Sequence, residues 1–86
     1  MAYIDPETVD SPKAHWMLRR VLINHGDGAW SLAKGTWDGD EVYVIRWNGS
    51  SNEPGMGNPQ SHGYPTWFVS PDDIAEMVLR AEMVGN

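Results

Sequence analysis

Asp38-Gly39 splits the run AWSLAKGTWDGDEVYVIRW, residues 29–47, into two segments of alternating side chains, and so places an antiparallel hairpin in the middle of the chain. Both central residues of a two-residue type I′ turn need positive φ, a conformation that Asp and Gly accept at low cost. On the incoming side Trp30, Leu32 and Lys34 alternate with Ala29, Ser31 and Ala33. On the outgoing side Val42, Val44 and Arg46 share one parity and Tyr43, Ile45 and Trp47 the other. This second segment is rich in β-branched and aromatic residues. Neither of its faces is uniformly polar, so it reads as a central strand covered on both sides.

The flanking segments extend the hairpin into a sheet. WMLRRVLIN, residues 16–24, runs straight into His25-Gly26-Asp27-Gly28, a hairpin-type turn, which favours a strand. A helix is the alternative here. Ser11-Pro12 has the form of an N-cap followed by proline, and Leu18, Val21 and Leu22 have helical spacing. TWFV, residues 66–69, reads as a fourth strand. Ser70-Pro71-Asp72-Asp73 then starts a helix: Ser at the N-cap, Pro at the first helical position, and two carboxylates where the helix dipole favours them. The helix is expected to run to about Val84 and to stop at Gly85. Ile74, Met77, Val78, Ala81 and Val84 follow the spacing of one buried stripe. Ala75, Leu79 and Met83 form a second apolar row, which calls for another partner, either the N-terminal arm or a second copy. The expected fold is α+β: an antiparallel β-sheet of about four strands in a meander, with one C-terminal α-helix packed on one face.

Eighty-six residues without cysteine make one small domain that no disulfide or thiolate metal site can staple. Burial must do most of the stabilising, and five tryptophans supply large apolar area for it. Oligomerisation, as a homodimer, would supplement so small a core. Six basic residues stand against twelve acidic ones, for a formal net charge of -6. Lys13, Arg19, Arg20, Lys34, Arg46 and Arg80 are scattered, whereas a phosphate backbone needs clustered cations, so nucleic acid is not the expected partner. A basic protein surface fits the charge better. No apolar run approaches the roughly 18 residues of a membrane span. Residues 1–13 show no basic start and no apolar core of a secretory leader, so the Asn48-Gly49-Ser50 sequon has no expected consequence. A cytoplasmic setting is expected. The same thirteen residues read as an extended N-terminal arm.

From Asn48 to Pro65 the pattern breaks. Eighteen residues carry four glycines, three prolines and three asparagines. Structureless loops beyond about 12–15 residues are uncommon in compact domains and are usually functional or disordered. The prolines restrict this one, so it is expected to be ordered from Gly57 onward. The combination DGAWSLAKGTWDGDEVYVIRWNG (27–49) and GNPQSHGYPTWFVSPDDIAEMV (57–78) resembles a group of small bacterial hypothetical proteins, of the kind found in mobile gene cassettes. The resemblance implies a shared fold and carries over no activity, cofactor or catalytic residue.

The chemistry available is thin. His15, His25 and His62 are far apart and belong to no HxH or HExxH spacing, so no metal site is expected. Ser61 and His62 are neighbours, but adjacent residues on an extended loop point apart, and no nucleophile elbow is present. Asp38, Asp40 and Glu41 could supply a carboxylate pair, yet they occupy a hairpin turn where Asp is expected for backbone reasons. Arg46 lies within a central strand and must be hydrogen-bonded if buried. It either makes a structural pair, with an acid or with carbonyls of the 48–65 loop, or offers its planar fork to an anionic ligand beside Asn58 and Gln60. Five indoles in so short a chain can hardly all be interior, and one or two at the surface beside Asn and Gln would suit a flat ligand or a protein hot spot.

The expected function is a small non-enzymatic binding module with no cofactor and no catalytic residue, recognising a partner through residues 48–67. Arg46, Asn48, Asn58, Gln60, Ser61, His62 and Trp67 are the expected contact residues. The alternative is a small-molecule binder or minimal enzyme, with Arg46, Asn58, Gln60 and His62 around an aromatic-walled cleft.

Overall fold

The computed structural model describes residues 3–84. A 3-10 turn at Pro6–Thr8 is followed by β1 (Trp16–Asn24), β2 (Trp30–Trp37), β3 (Asp40–Trp47), β4 (Gln60–Ser61), β5 (Tyr64–Pro65), β6 (Phe68–Ser70) and α1 (Asp72–Val84). The main sheet has the order β1-β2-β3-β6, antiparallel throughout, and β4-β5 forms a separate two-stranded ribbon. The expected α+β architecture is what the chain adopts. Asp38 and Gly39 take φ of 51° and 90°, the type I′ turn that their identities call for. Residues 16–24 form a strand, because pairing from Trp16↔Trp37 to Asn24↔Ser31 uses the backbone groups that a helix would have needed. The last strand begins at Phe68 rather than Thr66. Among the described residues no helix is long and apolar enough to cross a membrane.

One face of the sheet carries the core. Register sets Ala33 beside Val44 and Gly35 beside Val42, and Val9, Trp16 and Trp67 complete a buried cluster with Ala33 and Val44. Gly35 leaves room for Trp16 to lie across β2: a Cβ there would stand 2.4 Å from the indole Cη2 and 2.4 Å from the Met17 carbonyl oxygen. The N-terminal arm closes this face. Asp5 caps the 3-10 turn, its Oδ1 accepting from the Glu7 N–H at 3.0 Å. The turn delivers Val9, whose side chain is fully buried. The Val9 carbonyl accepts both indole N–H groups, Trp67 Nε1 at 2.8 Å and Trp16 Nε1 at 3.4 Å.

The other face carries α1. Ala75 is fully buried, and Val78, Leu79 and Glu82 are partly so. Leu79 and Met83 border grooves shared with Arg19, Arg20, Leu22 and Ile23 of β1, and His25 Nε2 lies 3.1 Å from Glu82 Oε1, tying the helix to the β1–β2 turn. The inward arc therefore cuts across the two expected rows: Ala75, Val78, Leu79 and Glu82 turn inward, and Met83 of the second row is 81% exposed. In the first row Ile74 and Met77 are 53% and 64% exposed and Ala81 is exposed as well. Periodicity locates an apolar arc but not which part of a wide arc is turned inward; Ala75, with the smallest side chain, sits at the tightest approach. Gly85, the expected stop, and the Val84 side chain lie outside the described residues. The body is flat, 33 × 33 × 16 Å. Its 5615 Å² of accessible surface exceeds the roughly 5,100 Å² of an average compact chain of this mass.

Candidate recognition surface at the end of β3

The last turn of alternation in β3 sorts three side chains. Arg46 and Asn48 turn inward and are buried, and Trp47 between them points the other way and is 57% exposed. Arg46 is 2% exposed. Its Nη1 donates to the Thr66 carbonyl at 2.6 Å and the Pro59 carbonyl at 3.2 Å, and its Nη2 donates to the Met56 carbonyl. Nε is buried without a hydrogen-bond partner. Burial lowers the guanidinium pKa to about 10, which still leaves it charged at neutral pH. Three carbonyls, at Met56, Pro59 and Thr66, thus take the place of a carboxylate, the structural one of the two arrangements expected for this residue.

Asn48 stitches the start of the same segment to its surroundings. Its Nδ2 donates to the Gly26 carbonyl at 2.8 Å and to Asn24 Oδ1 at 3.1 Å, and its Oδ1 accepts from Ser31 Oγ at 2.7 Å. Its main-chain N–H donates to the Ala29 carbonyl, and its carbonyl accepts from Ile4 in the arm, both at 2.8 Å. Asp27 adds an outer tie: hydrogen bonds from the Ser51 hydroxyl and N–H hold its carboxyl below the ordinary value. Gly57 lets the chain fold back over Arg46. Its φ is 76°, and a Cβ would stand 2.1 Å from the Trp47 carbonyl oxygen and 2.7 Å from Arg46 Nη2.

Asn58 then pairs with Trp47 through two main-chain hydrogen bonds of 2.7 and 3.2 Å. The stretch after it is a small hairpin. β4 and β5 pair Gln60↔Pro65 and Ser61↔Tyr64, and His62-Gly63 form the turn with φ of 52° and 81°. His is among the non-glycine residues that tolerate left-handed backbone, so His62 stands at an exposed hairpin tip for backbone reasons. Residues 48–65 are accordingly tied to the sheet by Arg46 and Asn48 and end in one short hairpin.

The outward side of this assembly is a surface around Trp47. On one flank lies a groove of about 270 Å³ bordered by Trp47, Glu53, Gly57, Asn58 and Gln60. On the other lies an apolar groove of about 580 Å³ bordered by Trp30, Ile45, Trp47, Asn58, Pro59 and Phe68. Phe68 is 60% exposed. Of the seven expected contact residues, Arg46, Asn58 and Gln60 border the two grooves, and Ser61 and His62 are exposed on the hairpin beyond them. Arg46, Asn48 and Trp67 are buried and hold the segment from inside. Sequence reasoning expected one or two surface indoles without saying which of the five, and did not single out Phe68. The signal was present in the parity of β3, which sets Trp47 opposite Arg46. What parity could not show is that a thirteen-residue helix, about 20 Å long, leaves part of a face 33 Å across uncovered.

The histidines are dispersed. His15 Nδ1 lies 2.8 Å from Asp38 Oδ1 and its ring stacks on Trp37, whereas the His25 ring lies 4.8 Å from that of Trp30. Among the described residues no group of three or more His, Asp or Glu side chains is placed to hold a metal ion. Comparison of the chain with protein-family models, with curated proteins and with solved structures gives no match.

Proposed function

We propose that this protein is a small non-enzymatic binding module that recognises a protein partner through the Trp47–Phe68 surface, in a cytoplasmic setting. The observation that carries the reading is the pair of half-exposed aromatic side chains beside an apolar groove, rimmed by the amides of Asn58 and Gln60. Aromatic anchors surrounded by hydrogen-bonding groups are the usual energetic centre of an interface. Their supports are internal, with Arg46 Nη1 and Nη2 and the Asn48 amide all bonded within the chain, so the surface needs no partner to assume its shape. The net charge of -6 and Glu53 at the rim favour a basic partner surface.

A flat small ligand is the second reading, favoured by the volume of the apolar groove, which lies within the range of about 300–1,000 Å³ typical of ligand sites. It loses the cation once assigned to it, because the Arg46 fork is occupied by carbonyls.

Capture from a bacterial lysate with wild type and a Trp47→Ala/Phe68→Ala double variant separates the cases. Both side chains are exposed, so the double change is expected to cost no more than about 1 kcal/mol of stability. Each truncation is expected to weaken a genuine partner by about 2 kcal/mol or more. Equal recovery of the same proteins by both baits would remove this surface from consideration.

A further inference from the structure

We propose that β6 is an acceptor edge: an extended apolar segment of a partner protein, flanked by Lys or Arg, adds to it as a further strand and lays alternate side chains over Phe68 and Trp47. The proposal rests on the recognition surface described above and specifies how it is used.

The sheet has two edges, and they are built differently. β1 is nine residues long, with shifts of register at Leu18/Arg20 and at Val21/Ile23, and it carries exposed Arg19 and Arg20. Bulges and charges of this kind blunt an edge against further pairing. β6 pairs with β3 through three consecutive partners without a shift, and its side chains are Phe, Val and Ser. Ser11 of the arm bridges Thr66 just before this strand, so the stretch open to another strand is Phe68–Ser70. Phe68 at 60% and Val69 at 42% exposure leave both faces of this edge apolar.

Phe68 has two positions at once. It belongs to the edge strand and also walls the groove formed with Trp30, Ile45 and Trp47. Main-chain hydrogen bonding and a receptacle for alternate side chains therefore lie side by side, the two requirements of recognition by strand addition.

Charge and area decide the occupant. Asp72 and Asp73 are exposed just beyond β6, Glu53 lies on the far side of Trp47, and the chain as a whole carries -6. A cationic segment gains from that field, and a second copy of this chain opposes it. Trp47 and Phe68 leave roughly 200 Å² of aromatic surface in water. A standard interface buries about 800 Å² per partner, so the contact has the size of a peptide and not of a docked domain.

The test uses the full chain and a random phage-displayed dodecapeptide library. Selected peptides are expected to carry apolar residues at alternate positions with Lys or Arg between or beside them. On titration with the best of them, the β6 amides that face away from β3 should gain hydrogen-exchange protection, while those already paired to β3 change little. N-methylation of one central peptide nitrogen should then weaken binding about tenfold, the loss expected for one inter-strand hydrogen bond. Peptides that shift Trp47 and Phe68 signals yet tolerate N-methylation and leave β6 exchange unchanged would overturn strand addition while leaving the recognition surface standing. No enrichment, or enriched peptides that leave Trp47 and Phe68 untouched, would overturn both. Protection of β6 that rises with protein concentration without peptide, together with a dimer in analytical ultracentrifugation, would make a second copy the occupant and overturn the proposal.

Discussion

Arg46→Met is expected to destabilise the protein by about 3 kcal/mol or more and to release residues 56–66 from the sheet. Two effects oppose one another. Removing the guanidinium relieves the cost of burying a cation, the same burial that lowers its pKa to about 10. It also strips the Met56 and Thr66 carbonyls of their donor and leaves the Pro59 carbonyl with the Thr66 N–H alone. An interior polar group left unpaired costs about 1–3 kcal/mol, and two of them outweigh the relief. For a domain of this size each kcal/mol lowers Tm by about 4–8 °C, so a fall of more than about 10 °C is the expected calorimetric result. Arg46→Lys should recover only part of the loss, because a single ammonium cannot reproduce a planar fork that spans carbonyls at positions 56, 59 and 66. If Arg46→Met melts within a few degrees of wild type, the carbonyls have found water and the segment is held by something else.

Trp67→Ala has an expected cost of about 3–5 kcal/mol, the range for truncating a buried aromatic side chain. Trp67 is 7% exposed and packs against Trp16 with ring centroids 6.5 Å apart. Trp67→Phe separates packing from hydrogen bonding: it keeps most of the apolar volume and removes the N–H that donates to Val9, so about 1–2 kcal/mol of the loss should remain. The pair also distinguishes core from interface. Any loss of partner binding in Trp67→Ala should follow the fraction unfolded in a denaturant titration. Loss in Trp47→Ala should appear in a fully folded chain. Partner binding abolished in a Trp67→Phe protein of unchanged stability would mean that Trp67 reaches the interface after all.

The sheet was legible because its signals are local. Asp38-Gly39 dictates a turn, alternation dictates strands, and short links dictate antiparallel order. The helix start was legible for the same reason, through Ser70-Pro71 and two carboxylates. Register between distant parts was not. Nothing near Ser61-His62-Gly63-Tyr64 announces a hairpin except an X-Gly pair with His in the left-handed position, and two residues on each side make too short a strand to show alternation. The expected contact residues divide between surface and interior for a physical reason. Polar residues in a long segment mark both surfaces and internal anchors, and composition does not tell them apart. Arg46 and Asn48 became anchors because β3 continues into the segment with inward parity, while Asn58 and Gln60 follow the fold-back at Gly57 and stay outside. Which of the five indoles is exposed was not legible, because a strand residue beside a buried Arg looks like core until the span of the covering helix is measured.

The Val9 carbonyl accepts from two indoles, one of them 58 residues further along. During synthesis at about 5–20 residues per second, the arm waits roughly 3–12 s before Trp67 has been made. Through that interval the cluster of Val9, Trp16, Ala33 and Val44 lacks Trp67, and the three strands β1, β2 and β3 have neither β6 nor α1. The protein should therefore acquire its protease resistance in a single step once residue 67 is free to fold, with no stable half-made form along the way.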